Sequence, residues 1–161
     1  MIGVETDVSE DWDSKTDWEA LARRAVHAAV AHSRHSSLSA DSEISVKFTD
    51  DDEVRALNAA WRGKDKATNV LSFPMAAEDD LVDAQLLGDI VLAHNVCAAE
   101  AEQKHIPFEH HAAHLVVHGT LHLLGYDHET SDAEAEEMEQ VERAALSALG
   151  IADPYLSEVQ P

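Results

Sequence analysis

The chain has 161 residues, enough for one domain with its own core, and we read residues 1–161 as a single domain. Its one cysteine, Cys97, excludes an intramolecular disulfide and a cysteine-based zinc site. Eleven Lys and Arg residues stand against 32 Asp and Glu residues, and this net charge of −21 argues, averaged over the chain, against nucleic acid as a partner.

The sequence carries no signal for a membrane span or for secretion. The first residues, MIGVETDVSEDWD, lack a basic start and an apolar run. Nowhere does the chain contain the run of about 18 apolar residues that a spanning helix needs. We therefore expect a cytoplasmic protein with no membrane partner. The first dozen residues and the tail after Pro154 are expected to be loosely tied.

Two helices and a strand are predicted in the first third of the chain. Asp17 is a suitable N-cap for a helix over residues 17–33, whose helical spacing puts Leu21, Ala25, Ala28, Ala29 and His32 on one face. Residues 43–48 alternate apolar and polar side chains, as a half-buried strand does. Asp50 then caps a helix that reaches Trp61, with Glu53 as the partner in a capping box.

Two strands and three helices are predicted in the remainder. Residues 69–73 and 86–92 are short apolar segments bounded by a proline and an acidic loop, which favours strands. Helices are predicted at residues 95–105, 108–124 and 131–149. The middle one is apolar nearly all round and is therefore expected to be central and buried, with Gly125 at its C′ position. These elements indicate a mixed sheet packed by helices.

Residues 118–128 read HGTLHLLGYDH and suggest a metal site. His118 and His122 are four residues apart, so they share one helical face and their Cβ atoms lie about 5–6 Å from each other. His128 follows the turn at Gly125 and offers a third imidazole, which suits a zinc ion with an open fourth position. His111 and His114 share the same stripe, so other pairs remain open. Surface or structural roles are expected for the other histidines, His27, His32, His35, His94, His105 and His110.

The same spacing occurs in zinc proteases of the type H-E-x-x-H-x-x-G-x-x-H. In those enzymes the glutamate is the general base, but the equivalent position here is Gly119. A glycine cannot accept a proton from water. The pattern therefore keeps the metal and loses the catalytic step of a protease.

Three stretches resemble the YbeY-type endoribonucleases, which mature ribosomal RNA in bacteria and organelles. They are WRGKDKATNVLSFP at 61–74, LGDIVL at 87–92 and the histidine stretch at 118–128. The resemblance implies an α+β fold, a mixed four-stranded sheet packed by about five helices with the histidine helix near the centre. It puts the metal ligands on His118, His122 and His128, with one zinc ion per chain, and the functionally important arginine on Arg62. Arg62 and His118 are then the catalytic residues.

The implied function is cleavage of single-stranded RNA during maturation of small-subunit (16S) ribosomal RNA and ribosome quality control. The implied partners are ribosomal RNA and a small-subunit ribosomal protein or assembly factor; the oligomeric state stays open. One departure is Ala67, where the family usually has proline. The acidic composition also departs from what an RNA-binding protein needs, and only residues 55–66 are markedly basic.

The residue types agree with this chemistry. A metal with an open position polarises a phosphate oxygen or lowers the pKa of water, and Arg62 suits a bidentate phosphate contact. Asp89 and Asp127 are candidates for orienting a ligand imidazole or a water. The acidic residues between 129 and 142 are expected to form a solvated helix face. Two alternatives remain, a zinc hydrolase of peptides or small molecules and a non-catalytic ribosome-assembly factor with a structural metal.

Overall fold

The structure, a computed structural model, describes residues 2–38, 42–127 and 129–155. One sheet contains the four strands in the order β1-β2-β4-β3. Their bounds are β1 Gly3–Val8, β2 Glu43–Thr49, β3 Val70–Pro74 and β4 Leu86–Ala93. β1 and β4 run parallel to β2, whereas β3 runs antiparallel to β4. The mixed four-stranded sheet is therefore confirmed.

Five α-helices and one short 3₁₀ helix, Glu78–Asp83, accompany the sheet in the described ranges. The α-helices are α1 Trp18–His32, α2 Asp51–Arg62, α3 His94–Lys104, α4 Phe108–Leu123 and α5 Asp132–Ala148. Each begins and ends within one residue of its predicted bounds. The reason is local, because Asp17, Asp50 and Ser131 each accept a hydrogen bond from the backbone N–H three residues on.

The main core lies between one face of the sheet and the helices α1 and α4. Ile44, Val46 and Phe48 point into it from β2 and are buried. Helix α4 contacts α1, α3, α5, β3 and β4, and most of its residues are buried. The predicted central position of the histidine helix is thus confirmed. Helix α2 covers part of the opposite face of the sheet, where Val54 packs against Leu71 and Val91.

The N-terminal prediction was wrong. Residues 3–8 pair with β2 as a parallel edge strand, and Ile2 and Trp12 are buried. Trp12 donates from its indole N–H to the Thr49 carbonyl at 2.9 Å and stacks on Phe108. These contacts join residues far apart in sequence, so no local sequence pattern predicts them.

The buried face of helix α1 includes Ala25 and Ala29, as predicted, but is shifted away from His32. Its buried residues are Trp18, Ala22, Ala25, Val26, Ala29 and Val30, whereas His32 is exposed. Trp18 explains the rotation, because this large side chain packs against Trp12 and Phe48 at the start of the helix. In the described ranges, no helix is both long and apolar enough to cross a membrane.

Candidate functional site

Two histidines of α4 meet in a cleft beside the end of α2 and the strand β3. His118 and His122 lie one helical turn apart, and their Nε2 atoms are 3.0 Å from each other. The Nδ1 atom of His122 lies 3.0 Å from the Tyr126 carbonyl oxygen. The Nδ1 atom of His118 lies 2.6 Å from a carboxylate oxygen of Glu142 on α5. Both rings are therefore held through Nδ1, with Nε2 directed at the shared space.

These partners assign the tautomer of each ring. A carbonyl oxygen only accepts hydrogen bonds, so His122 donates from Nδ1. Glu142 is ionised near neutral pH, because its pKa is about 2, and His118 therefore also donates from Nδ1. When both rings are neutral, each Nε2 atom presents a lone pair to the other.

Two lone pairs at this separation repel each other unless a cation lies between them. Ligand nitrogens at about 2.0–2.1 Å from a tetrahedral zinc ion are separated by about 3.3 Å. The 3.0 Å distance between the Nε2 atoms of His118 and His122 is close to that value. The pair therefore fits two ligands of one divalent ion, in spacing and in tautomer.

Glu142 is a fully buried carboxylate at the back of this cleft. Burial raises its pKa, but hydrogen bonds from His114 and His118 outweigh burial and lower the pKa to about 2. His114 donates from Nε2 at 3.0 Å, and the hydroxyl of Tyr155 donates to the same carboxylate. The buried carboxylate of Glu142 on α5 thus accepts hydrogen bonds from both α4 and the C-terminal segment.

The turn after α4 is held in place by Arg34. Gly125 adopts φ +99°, and a Cβ atom there would lie 2.7 Å from the Glu78 carboxylate. The Nε of Arg34 donates to Glu78 at 2.7 Å, and the Arg34 backbone N–H donates to the Tyr126 hydroxyl at 2.9 Å. The Arg34 guanidinium also lies 4.0 Å from the centre of the Tyr126 ring. These contacts fix residues 125 and 126, shortly before position 128.

Gly119 has a packing role. A Cβ atom at this position would lie 2.9 Å from Cγ2 of Ile90 and 3.0 Å from Oγ of Ser72. The glycine lets α4 approach β3 and β4 closely, so the helix can sit directly on the sheet. The side chain of a glutamate at position 119 would clash with the sheet, which gives a structural reason for the departure from the protease pattern.

Arg62 lines the same cleft as the histidines. The cleft has a volume of about 760 Å³, and its charged lining residues include Arg62, Lys104, Asp127 and Glu129. Arg62 is the last residue of α2, and Gly63 ends that helix with a left-handed φ of +70°. Two cations therefore face two carboxylates around the histidine pair.

The predicted site residues thus have different outcomes. His118, His122, Arg62 and Asp127 come together in the cleft. His128 lies outside the described residues, so its predicted role as third ligand stays a prediction. Within residues 2–38, 42–127 and 129–155, no three His, Cys, Asp or Glu side chains form a group with metal-site geometry. Asp89 was wrongly placed at this site, because β4 directs it to the opposite face of the sheet from its neighbour Ile90.

The remaining histidines have other partners. His111 bonds through Nε2 to Glu100 at 2.9 Å, and His114 bonds to Glu142. Neither shares a close nitrogen pair with His118 or His122 in the described structure. His27 contacts the Ile2 carbonyl oxygen, and His35 contacts Glu78.

Sequence reasoning missed three residues of the site. Glu142 was assigned to a solvated acidic face, yet it lies four residues after buried Met138 and four before buried Leu146, a helical spacing that indicates the buried side. Tyr155 was assigned to a loose tail, but it lines the cleft. Arg34 follows the end of α1 and gave no local signal, because its partners lie 44 to 103 residues away.

Comparison of folds gives the class of the protein first. The solution structure of TM1509 from Thermotoga maritima matches with a TM-score of 0.57 and covers 99% of this chain and 97% of that chain. The two sequences are 24% identical, so this likeness concerns the fold alone. It confirms the α+β fold class.

Sequence comparison then gives the family. Residues 6–150 match the family model described as Endoribonuclease YbeY. A relative of that name from Rhizorhabdus wittichii is 52% identical and is matched over 96% of this chain and 97% of its own length. Another, from Novosphingobium aromaticivorans, is 50% identical over 96% of both chains. The chain belongs to the YbeY endoribonuclease family, as the sequence resemblance predicted.

Proposed function

We propose that residues 1–161 form a single metal-dependent endoribonuclease domain that cuts single-stranded RNA in the cleft around His118 and His122. Its biological role is maturation of small-subunit (16S) ribosomal RNA and ribosome quality control in the cytoplasm. The name of the family and of the matched relatives supports RNA as the substrate. A small-subunit ribosomal protein or assembly factor is the proposed protein partner.

The close pair of Nε2 atoms is the observation that carries this proposal. Both imidazoles are held as Nδ1 donors, so a cation between the Nε2 atoms relieves their repulsion. Neutral imidazole suits zinc, and one zinc ion per chain is the proposed cofactor. The third ligand is His128, which follows the turn that Arg34 holds.

The proposed phosphate contact is Arg62. Its guanidinium can donate two parallel hydrogen bonds to a phosphate, which lysine cannot do. Without an ion, Arg62 and Lys104 are balanced by Asp127 and Glu129 on the cleft wall, so a divalent ion makes the cleft favourable for a phosphate. When bound, the ion would polarise a phosphate oxygen and favour formation of the nucleophile near neutral pH. Arg62 and His118 are the proposed catalytic residues.

A hydrolase of peptides is the weaker candidate. Gly119 packs against Ile90 and Ser72, so the position that supplies the general base in the zinc proteases carries no carboxylate here. A structural metal in a non-catalytic assembly factor is also weaker, because an open cleft with Arg62 adjoins the histidine pair.

The test compares RNA with protein as substrate. Zinc-loaded protein is incubated with single-stranded RNA and, separately, with casein, beside His118→Ala and the matched surface variant His32→Ala. We expect RNA cleavage by the parent and by His32→Ala, loss in His118→Ala, and no cleavage of casein. Equal RNA cleavage by parent and His118→Ala, with casein uncut, would refute the cleft as the nuclease site.

A second pair of variants tests Arg62. Arg62→Ala should leave zinc content unchanged and lower the cleavage rate about a hundredfold or more, the usual cost of losing one transition-state charge contact. Arg62→Lys should restore only part of the rate, because the charge remains without the planar fork. Arg24→Ala, on the exposed surface of α1, is the matched control. If Arg62→Ala cleaves RNA at the parent rate, the proposed phosphate contact of Arg62 is wrong.

A further inference from the structure

A second groove lies on the face of the sheet that α2 covers only in part. It has a volume of about 570 Å³, and its apolar wall includes Leu57, Trp61, Phe73 and Met75. Trp61 is 73% exposed and Met75 is 59% exposed. The other two tryptophans of the chain, by contrast, are buried in the main core. An exposed indole beside further apolar side chains forms a flat surface that a planar ligand can cover.

This groove is continuous with the histidine cleft. Ser72 and Pro74 on β3 line both. Trp61 and Arg62 are consecutive residues at the end of α2, and Trp61 lines the groove while Arg62 lines the cleft. A single ligand that passes over the β3 rim therefore meets an arginine on one side and an indole on the other.

The charges of the groove select the part of such a ligand that enters it. Glu5, Asp7 and Asp89 line the groove, and Lys47, the one cation among its described lining residues, donates to Glu53 at 2.7 Å. A phosphate would be repelled here, whereas carboxylates accept hydrogen bonds from the amino groups of bases. Within the described residues the Asp89 side chain makes no hydrogen bond or ion pair, so its carboxylate is available as an acceptor.

We propose that this groove is a nucleobase subsite, in which one unpaired base beside the cleaved bond stacks on Trp61 and donates its amino group to Asp89. The neighbouring phosphate then lies at Arg62. Adenine, cytosine and guanine carry an exocyclic amino group, whereas uracil offers only its ring N3–H as a donor, so the subsite favours these three bases over uracil at that one position. The inference rests on the proposed RNA substrate and adds where and how the RNA is read.

The test is a scan of RNA strands that lack one base. Binding of a labelled single-stranded RNA of about 12 nucleotides to zinc-loaded protein is measured by stopped-flow fluorescence anisotropy, so that binding is recorded before cleavage proceeds. A series of strands carries one abasic ribose at each position in turn. The proteins are the parent, Trp61→Ala, Trp61→Phe and Val82→Ala, the last removing a similarly exposed apolar side chain outside the groove.

The expected result has a specific pattern. Trp61→Ala should weaken binding of the intact strand about 5-fold to 100-fold, whereas Trp61→Phe and Val82→Ala should bind within about threefold of the parent. For the parent, one abasic position should cause a loss of similar size. Combining that abasic strand with Trp61→Ala should cost little more than either change alone, because both remove the same stack. Asp89→Asn should reduce the discrimination against uracil at that position.

Failure of the subsite and failure of the proposed function give different results. If the parent cuts RNA but Trp61→Ala binds every strand as the parent does, the subsite is wrong and the nuclease stands. If binding depends on Trp61 and on one base but RNA is not cut, the subsite stands and the nuclease is wrong. If Trp61→Ala loses the same affinity on intact and on every abasic strand, or the parent binds no RNA, the base assignment is overturned. A protein partner is then the better occupant of the groove.

Discussion

Glu142 is not a proposed ligand of the ion, but its replacement should change the site because it holds the ligand His118. Its buried carboxylate accepts from His118 at 2.6 Å, from His114 at 3.0 Å and from the Tyr155 hydroxyl. Glu142→Ala removes the acceptor that three donors share, and each donor left unsatisfied costs about 1–3 kcal/mol. Some are rehydrated through the cleft, so we expect a loss of about 3–5 kcal/mol in the free energy of unfolding, as for a broken buried pair.

Glu142→Gln separates stability from metal binding. The amide keeps the volume but places an N–H₂ group against donors, so we expect a smaller stability loss of about 1–3 kcal/mol. The amide is uncharged and has one acceptor oxygen for three donors, so the hydrogen bond that orients His118 is weakened or lost, and zinc affinity should fall about 10-fold to 100-fold. Urea denaturation in chelator measures the stability, and competition with a chromophoric chelator measures the affinity. Glu139→Gln, on the same helix and paired with Arg143 at the surface, is the matched control.

Parent-like zinc affinity in Glu142→Gln, with a cooperative unfolding transition, would exclude a role of Glu142 in metal binding. Glu142 would then stabilise the packing of α5 without orienting the ligand imidazole. Loss of stability with unchanged affinity would lead to the same conclusion. Loss of affinity in Glu139→Gln as well would assign the effect to the overall negative charge of α5.

Two further predictions concern the scaffold. Gly119→Ala should lower the free energy of unfolding by about 1 kcal/mol. Overpacking against Ile90 and Ser72 costs about 1–3 kcal/mol, which exceeds the gain of up to about 1 kcal/mol in helix propensity. A variant that is more stable than the parent in thermal denaturation would contradict this packing. The hydrogen bond from Arg34 lowers the pKa of Glu78 below its ordinary 4.5. The ion pair therefore stabilises the folded protein above that pH, and this stabilisation is lost on acidification. The stability difference between the parent and Glu78→Gln should therefore shrink between pH 6 and pH 3, and a difference independent of pH would be evidence against the ion pair.

Local chemistry explains which parts of the fold were predictable. The helix starts were predicted because the side chains of Asp17, Asp50 and Ser131 cap their own helices, within three residues. The left-handed turn at Gly125 was predicted for the same reason, since the requirement for positive φ lies in the residue itself. β1 and Trp12 depend on pairing with β2 and on aromatic contacts with distant residues, which short-range periodicity does not encode.

The site shows the same division between local and distant contacts. The pair His118 and His122 was predicted because i, i+4 spacing on a helix is a local geometric fact. Their orientation depends on Glu142 and on the Tyr126 carbonyl, and the first of these is 24 residues from His118. Asp89 was misassigned because the face to which a strand residue points depends on register, and register is set by the neighbouring strands.

The most direct test of the central claim is the position of the ion. Crystals of zinc-loaded protein, measured above and below the zinc absorption edge, give an anomalous difference map in which the ion is seen independently of the protein atoms. The proposed metal site predicts one peak per chain at about 2.0–2.1 Å from Nε2 of both His118 and His122, with an imidazole nitrogen of His128 as the third ligand. A fully occupied zinc peak elsewhere, with no peak between these two Nε2 atoms, would contradict it.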